Sequence, residues 1–531
     1  MSEDATGIRT GRREECMKKY DVVVIGAGNT GMFTAAALAV SGVKPLVIEA
    51  HNLPGGMATS FVRGRFEFDA TLHGHIEANM QDMAYNDLKL ETKFPLYPPD
   101  VELVTLQNGK IHKDFYDLTK NVGKQIDEKY PGQGMGSIYE SVIPVINNVR
   151  EATVQVLNIL GYLKNKAGNE ASAWDTVKYG LNILKKYPDL LKHGLQHTDT
   201  FYEKHRVPAY LKSFISMYWW YLGTRLTDSP AFLSFATTDF NQPYAYVTNT
   251  AHSYMAELEK MIRDNGGDIW YNTAVTKICV KDRKVKGLET SQGDYVEASH
   301  VVSTIDPKMA FGRLLDGDDR FKNQMLKKEK KFKENFSFFM VYLGLDASTE
   351  EIGIDVPHVI INEELDPNDL FDHMTDLDAP KTIGFMCPNL ITEDVSPEGT
   401  CIVSISIPVM SSVLEGLSQK EYLRLKNDYA DKMIKKVEEY LGIDLSSHIE
   451  EIVVASPATF TRYASSASGS LGNYLSTAQF IKVRAMTFMM NRRIKGLEFG
   501  GQFTGNIGYM NMNFGYRHGK KLAKKILKEG R

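Results

Sequence analysis

Residues 21–49, DVVVIGAGNTGMFTAAALAVSGVKPLVIE, constrain the fold of this chain more than any other segment. Val22 to Ile25 form a continuous β-branched run, the pattern of a strand buried on both faces of a parallel sheet. Gly26, Gly28 and Gly31 follow it directly as G-x-G-x-x-G. In that spacing the first glycine allows the tight turn, the second lets backbone approach a pyrophosphate, and the third lets helix and strand pack closely. The spacing predicts a helix from Asn29 to Ser41, with the small residues Ala35, Ala36 and Ala39 on its packing side and Gly42 ending it. Residues 44–48 read as a second strand, and Glu49 at its end offers a carboxylate to both hydroxyls of an adenosine ribose. The helix N-terminus adds partial positive charge and free N–H groups for phosphates. These features in register predict an adenine dinucleotide site. The fingerprint alone leaves NAD and FAD both open.

The next residues bear on that choice. Gly55 and Gly56 follow the acid closely, then come Thr59-Ser60-Phe61, Phe68-Asp69 and Leu72-His73. This resembles the FAD proteins of glutathione-reductase type, and within them the phytoene desaturase, carotenoid isomerase and retinol saturase family. That family carries a "GG-x-x-x-(S/T)-F" loop followed by "G-x-x-F-D-x-G-x-H". The family glycine two places after the aspartate is Thr71 here. The resemblance extends to Val275-Thr276-Lys277-Ile278 through Gly287 and to residues 300–307, HVVSTIDP, which look like the family's strand meander. It extends also to residues 496–504, GLEFGGQFT, and to the terminal stretch from His518 to Leu527. Where the family has a glycine-proline run, this chain has the polar and aromatic residues 505–515. The resemblance implies an α/β fold: a Rossmann-like FAD-binding domain of glutathione-reductase and amine-oxidase type with an inserted α+β substrate domain. It implies FAD contacts at Gly26, Gly28, Asn29, Thr30, Gly31, Glu49, Ala50, Gly56, Met57, Ala58, Thr59, Val275, Gly501, Met512 and Asn513.

The organisation this implies is discontinuous. The FAD-binding domain takes residues 1–90, 250–310 and 485–531, with 1–16 as a frayed tail; a substrate or cap domain takes 91–249 and 311–484. Within the cap, residues 143–163 and 174–193 show helical spacing, 336–345 and 400–408 read as strands, and 420–441 as a helix. The last helix is predicted to begin near Asn513. The 531 residues carry a net charge of −4, which argues against nucleic acid as the main partner. The four cysteines form no C-x-x-C and read as reduced, mostly buried thiols of a cytoplasmic protein. No stretch is long and apolar enough to span a bilayer.

Two features leave membrane contact open as a peripheral interaction. The run Met217-Tyr218-Trp219-Trp220-Tyr221-Leu222 reads either as a hydrophobic tunnel or membrane-dipping surface, or as ordinary aromatic core. The basic run 327–333 and the terminal lysines fit either anionic head groups or solvated helix faces.

His73, His75 and Glu77 share one face if extended. No further ligand grouping completes a metal site, so no metal is expected. The expectation is a proton-donating or hydrogen-bonding role beside the flavin for His73 and His75, with Tyr509 and the nearby Asn511 and Asn513 as a second set. A purely structural role competes with this. The function expected is an FAD-dependent oxidoreductase acting on C=C or C–C bonds of a long apolar small molecule: a carotenoid, retinoid or fatty-acyl chain. Desaturation, saturation and isomerisation share these motifs. A flavin amine oxidase and a non-catalytic lipid-binding or escort protein on the same fold are the alternatives.

Overall fold

The computed structural model describes residues 18–71, 84–92, 96–97, 100–162, 173–237, 244–245, 250–317, 319–332, 336–378, 380–392, 394–464, 478–501, 504 and 511–529. Among these residues two seven-stranded sheets dominate. In the first, the strands lie in the order Val275–Lys281, Lys284–Thr290, Tyr295–Ser303, Lys18–Ile25, Pro45–Ile48 and Asp268–Trp270. Leu497–Phe499 pairs with the far half of Tyr295–Ser303, where the antiparallel meander has peeled away.

The apolar run near the start of the chain is explained by burial on both faces. Val22 and Val24 point into one core with the crossover helix Asn29–Ala39, while Val23 and Ile25 point into another with the meander and Met486, Met490 and Ile494. A strand sandwiched in this way needs no polar face. The crossover helix is itself buried from Thr30 to Ala39. The sheet, the helix Thr250–Asp264 and the terminal helix Asn511–Glu529 cover it, so small side chains serve on nearly every side. The terminal helix comes closest. A Cβ built on Gly515 would lie 2.4 Å from the Thr30 carbonyl oxygen, and one on Gly519 would lie 2.4 Å from that of Thr34. Thr34 Oγ1 also donates to the Gly515 carbonyl at 3.1 Å.

The second sheet runs Ile449–Ala455, Ser337–Leu345, Cys401–Val409, Thr382–Met386, His358–Asn362, Asp100–Gln107 and Lys110–Asp117. The helix Gln419–Leu441 covers one face, burying Tyr429, Met433, Ile434 and Val437. A capping box of Ser418 and Glu421 starts it, and Gly442 ends it. Cys387 and Cys401 are buried free thiols in this core, and the third described thiol, Cys279, lies in the strand Val275–Lys281.

A helical insert follows the strand Lys110–Asp117. The long helix Met135–Tyr162 packs against Ala173–Lys186 and Pro188–His193, Pro188 dividing what sequence spacing reads as one helical stretch. The aromatic run that suggested a tunnel or membrane surface forms the middle of this insert's core: Met217, Tyr218, Trp219, Trp220 and Leu222 are buried, and only Tyr221 is exposed.

Because the approach of the terminal helix is to backbone atoms, Gly519→Ala is expected to destabilise the protein by about 1–3 kcal/mol through forced separation of the helices. Gly180, inside a helix with nothing near its absent Cβ, supplies the contrast. Gly180→Ala should stabilise by about 0.5–1 kcal/mol through helix propensity. Urea unfolding of both variants checks this; a Gly519→Ala protein as stable as the parent sinks the packing argument.

Candidate functional site: a dinucleotide cradle

The glycine turn is fixed by contacts from distant chain. Gly26 sits at φ +96° and donates its N–H to the Ile48 carbonyl at 2.9 Å. A Cβ on Gly31 would fall 2.0 Å from the Gly26 carbonyl oxygen, so the third glycine is required by the turn itself. Thr304 Oγ1 donates to the Ile25 carbonyl at 2.9 Å, with the Gly26 carbonyl 3.2 Å away, and lies close to both glycines: a Cβ on Gly26 would sit 2.9 Å from it and one on Gly31 3.3 Å.

Gly28 caps the crossover helix with no side-chain acceptor for the first-turn N–H groups, and no acidic residue lies in that turn. A Cβ on Gly28 would meet nothing nearer than the Gly55 carbonyl at 4.0 Å. The turn is therefore open on the side where the uncapped amides point, as a pyrophosphate requires. The second glycine loop pairs directly with the first. Gly28 bridges Gly55, Gly55 donates its N–H to the Ala27 carbonyl at 2.8 Å, and Gly55 adopts φ +112°. A Cβ on Gly56 would lie 3.2 Å from Gly28 Cα, so the two loops form one surface of bare backbone. Met57, Ala58 and Thr59 continue it.

Glu49 is 9% exposed, and its carboxylate is held in place. One oxygen accepts the Ala27 N–H at 2.7 Å and the other the His51 N–H at 2.9 Å. Each oxygen keeps a further lone pair, enough for the two hydroxyls of one ribose. Ala50 follows, and His51 stacks on Tyr463 at 5.0 Å between ring centres. Val275 begins the strand beyond the Thr273 amide, which donates to the Glu49 carbonyl at 2.9 Å. At the far end Gly501, at φ +91°, would place a Cβ 2.5 Å from the Thr304 carbonyl. Met512 and Asn513 lie in the first turn of the terminal helix, which starts at Asn511, close to the start expected from sequence. His73, His75 and Tyr509 lie outside the described residues.

Three groups that were not assigned to the site from sequence tie the cradle together. Thr304 is the first. Tyr254, fully buried, donates its hydroxyl to Asn29 Oδ1 at 2.9 Å and so orients the first residue of the crossover helix. Asp69 Oδ1 accepts the Ala251 N–H and the Ser60 hydroxyl, both at 2.8 Å, and so caps the helix Thr250–Asp264. Thr250, with a β-branched side chain at φ +70°, is strained there and is held by Glu67 at 2.8 Å. In sequence Asp69 and Thr304 stand within motifs that carry the resemblance, and Tyr254 has no signal of its own. Thr71, where the family has glycine, donates its hydroxyl to the Met57 carbonyl at 2.6 Å and fastens the second glycine loop.

A prolycopene isomerase of an Oncidium hybrid cultivar is 26% identical over 88% of this chain and 77% of its own length. A phytoene desaturase of Phycomyces blakesleeanus is 24% identical over 91% of this chain and 81% of its own. The NAD(P)-binding Rossmann-like domain family matches residues 24–85. The chain is thus similar along most of its length to prolycopene isomerases and to a phytoene desaturase, all of them enzymes. Among solved structures, a putrescine oxidase variant superposes with a TM-score of 0.61 at 12% identity, covering 97% of this enzyme and all of that chain, a likeness of fold alone.

Burial raises the Asp69 carboxyl from its usual 3.8 to about 6, against the lowering effect of the Ala251 amide and the Ser60 hydroxyl. The residue keeps some exposure, but the carboxyl group itself is turned inward to the helix end. An acid raised in the folded state contributes its full stability below the unfolded value and loses it as pH rises. Stability is therefore expected to fall by about 2 kcal/mol between about pH 4 and about pH 6 on account of this group. Asp69→Asn keeps an acceptor oxygen and should remove that slope. Urea midpoints of parent and variant across the range decide it, and parallel curves would rule Asp69 out.

Proposed function

We propose that this enzyme is an FAD-dependent oxidoreductase acting on the C=C or C–C bonds of a long apolar polyene of carotenoid type. The observation that carries the reading is the cradle of Gly26, Gly28, Gly31, Gly55 and Gly56 with the Glu49 carboxylate beside it, on a chain aligned along most of its length with carotenoid-converting relatives. The cradle fits an adenine dinucleotide. The uncapped amides of Asn29 to Gly31 would take the pyrophosphate, Glu49 the adenosine ribose, and the backbone at Ala50 and Val275 the adenine side. The Gly501 segment and the start of the terminal helix, with Met512 and Asn513, lie on the isoalloxazine side in this reading.

When bound, the flavin supplies hydride exchange with a C–H or C=C unit. The protein then has to bind, orient and exclude water, which asks for no nucleophile and no metal. Thr304 and Tyr254 position the pyrophosphate turn through the Gly26 carbonyl and the Asn29 side chain, and Thr71 positions the second glycine loop. His73, His75 and Tyr509 are proposed for proton handling or hydrogen bonding at the reacting edge. The likeness to putrescine oxidase rests on fold and does not favour an amine substrate over a polyene.

The visible absorption spectrum of freshly purified protein is the first test. Oxidised-flavin bands that bleach with dithionite are expected, with added polyene converted in a spectrally resolved assay. A colourless protein that takes up no added FAD overturns the reading. Glu49→Gln replaces one acceptor oxygen by a donor amide facing either the Ala27 or the His51 N–H. FAD affinity should fall about 10- to 100-fold, read by flavin fluorescence titration, while far-ultraviolet circular dichroism stays unchanged.

A further inference from the structure

His51 stands where the acid of the cradle meets the rest of the molecule. Its N–H donates to one Glu49 oxygen at 2.9 Å, and its carbonyl accepts the Asn272 N–H at 2.9 Å. Its ring is held from a third direction. Nε2 lies 2.7 Å from the Tyr463 carbonyl, and because a carbonyl only accepts, this nitrogen carries the proton. The two rings are stacked 5.0 Å apart and within 9° of parallel. The residue that orients the Glu49 carboxylate is thereby fastened to a tyrosine 412 positions further along the chain.

Tyr463 lies in the last turn of the helix Pro457–Ala464, which follows the strand Ile449–Ala455 of the second sheet. The helix is anchored at its base, where the buried Ser456 shares a hydrogen bond of 2.8 Å with the Tyr422 hydroxyl. At its middle Phe460 packs with Phe66, Phe68 and Tyr342, and Met57 of the second glycine loop lies against the same cluster. At its tip Tyr463 is 53% exposed, so its ring adds little to any core, and its stacking partner is His51. Core burial therefore does not account for the ring. The loop it touches does: beyond His51 the chain is exposed at Asn52 and Leu53 and then enters Gly55 and Gly56. The His51 ring holds the start of that exposed stretch from outside.

We propose that His51 and Tyr463 form a clasp that retains an adenosine diphosphate group in the cradle. Tyr463 fixes the His51 ring, His51 fixes the Glu49 carboxylate, and release requires this loop to part from the helix Pro457–Ala464. Both are positioning residues that act through Glu49. The proposal rests on the reading of the cradle as a dinucleotide site, and adds that the second sheet controls how long the dinucleotide stays.

FAD release from the loaded full-length protein is followed by the rise of flavin fluorescence on dilution, and ADP affinity by titration calorimetry. Tyr463→Ala is expected to speed FAD release about three- to tenfold through loss of the stack. His51→Ala should speed it about tenfold or more, since stack and hydrogen bond go together. ADP affinity should fall in the same order, because the clasp acts on the adenosine half. Tyr463→Phe keeps ring and carbonyl and should release FAD at the parental rate. The double variant His51→Ala with Tyr463→Ala should be no faster than His51→Ala alone, because the tyrosine acts through the histidine. Tyr179→Ala, at an exposed tyrosine on the helix Ala173–Lys186, should behave as the parent. Circular dichroism confirms that each variant is folded. Parental release by both single variants overturns the clasp and leaves the cofactor reading in place, as does a double variant whose effect is the product of the two. A parent that binds ADP and not FAD overturns the flavin reading alone, and the ADP affinities then decide the clasp by the same pattern. A parent that binds neither overturns both.

Discussion

The rest of the structure depends on how closely the crossover helix can approach the turn that precedes it. At Gly31 a single extra carbon would sit 2.0 Å from the Gly26 carbonyl, well inside contact distance. Beside the same close approach Thr304 reaches the Ile25 carbonyl, and the terminal helix lays Gly515 against Thr30. Segments nearly 500 residues apart in sequence thereby meet around one helical turn. The amides of that turn end up uncapped and unobstructed over Gly28. Tight packing on three sides makes the fourth side a site.

The second sheet is fastened to this site through the hairpin of Ser60–Arg63 and Phe66–Asp69. Phe61 meets the Tyr342 ring edge to face at 5.1 Å, and Phe66 lies where a side chain on Gly344 would otherwise be. Tyr342, fully buried, donates its hydroxyl to the Ala70 carbonyl. One residue away Asp69 caps the helix that supplies Tyr254 to Asn29. A displacement of the second sheet would be passed through the aromatic cluster to Asp69 and on to the first turn of the crossover helix. The hairpin and the second sheet therefore share one packed aromatic core, joined to the helix Thr250–Asp264 by the hydrogen bond at Asp69.

What could be read from sequence was what local sterics decide. The run from Val22 to Glu49 encodes strand, turn, helix and strand within itself, so its elements appear close to where spacing puts them. The strands Ser337–Leu345 and Cys401–Val409 and the helix Gln419–Leu441 were legible for the same reason. Partnerships across long separations were not. Nothing in Asp100–Gln107 announces that it pairs in parallel with His358–Asn362, since a half-buried strand has the same alternation beside any neighbour. Aromatic content likewise failed to tell inside from outside at Trp219, because a core and an interfacial belt use the same residues. The exposed aliphatics at 177–195 were hidden by their helical spacing, which fits a buried stripe as well as a bare one.

In the proposed reading, Glu49 would decide which kind of dinucleotide this cradle accepts. Its two oxygens are each fixed by one backbone N–H, so the carboxylate cannot rotate away from an incoming ribose. With 9% exposure there is little water to screen its charge. Two neutral hydroxyls can donate to the remaining lone pairs at no electrostatic cost. A phosphate on the ribose would instead bring a second negative charge against a fixed, poorly screened one, with no arginine among the described contacts of Glu49 to compensate. In the proposed reading the same two amides that orient the acid would favour an unphosphorylated adenosine, a discrimination made by backbone geometry before any part of the reacting ring is engaged.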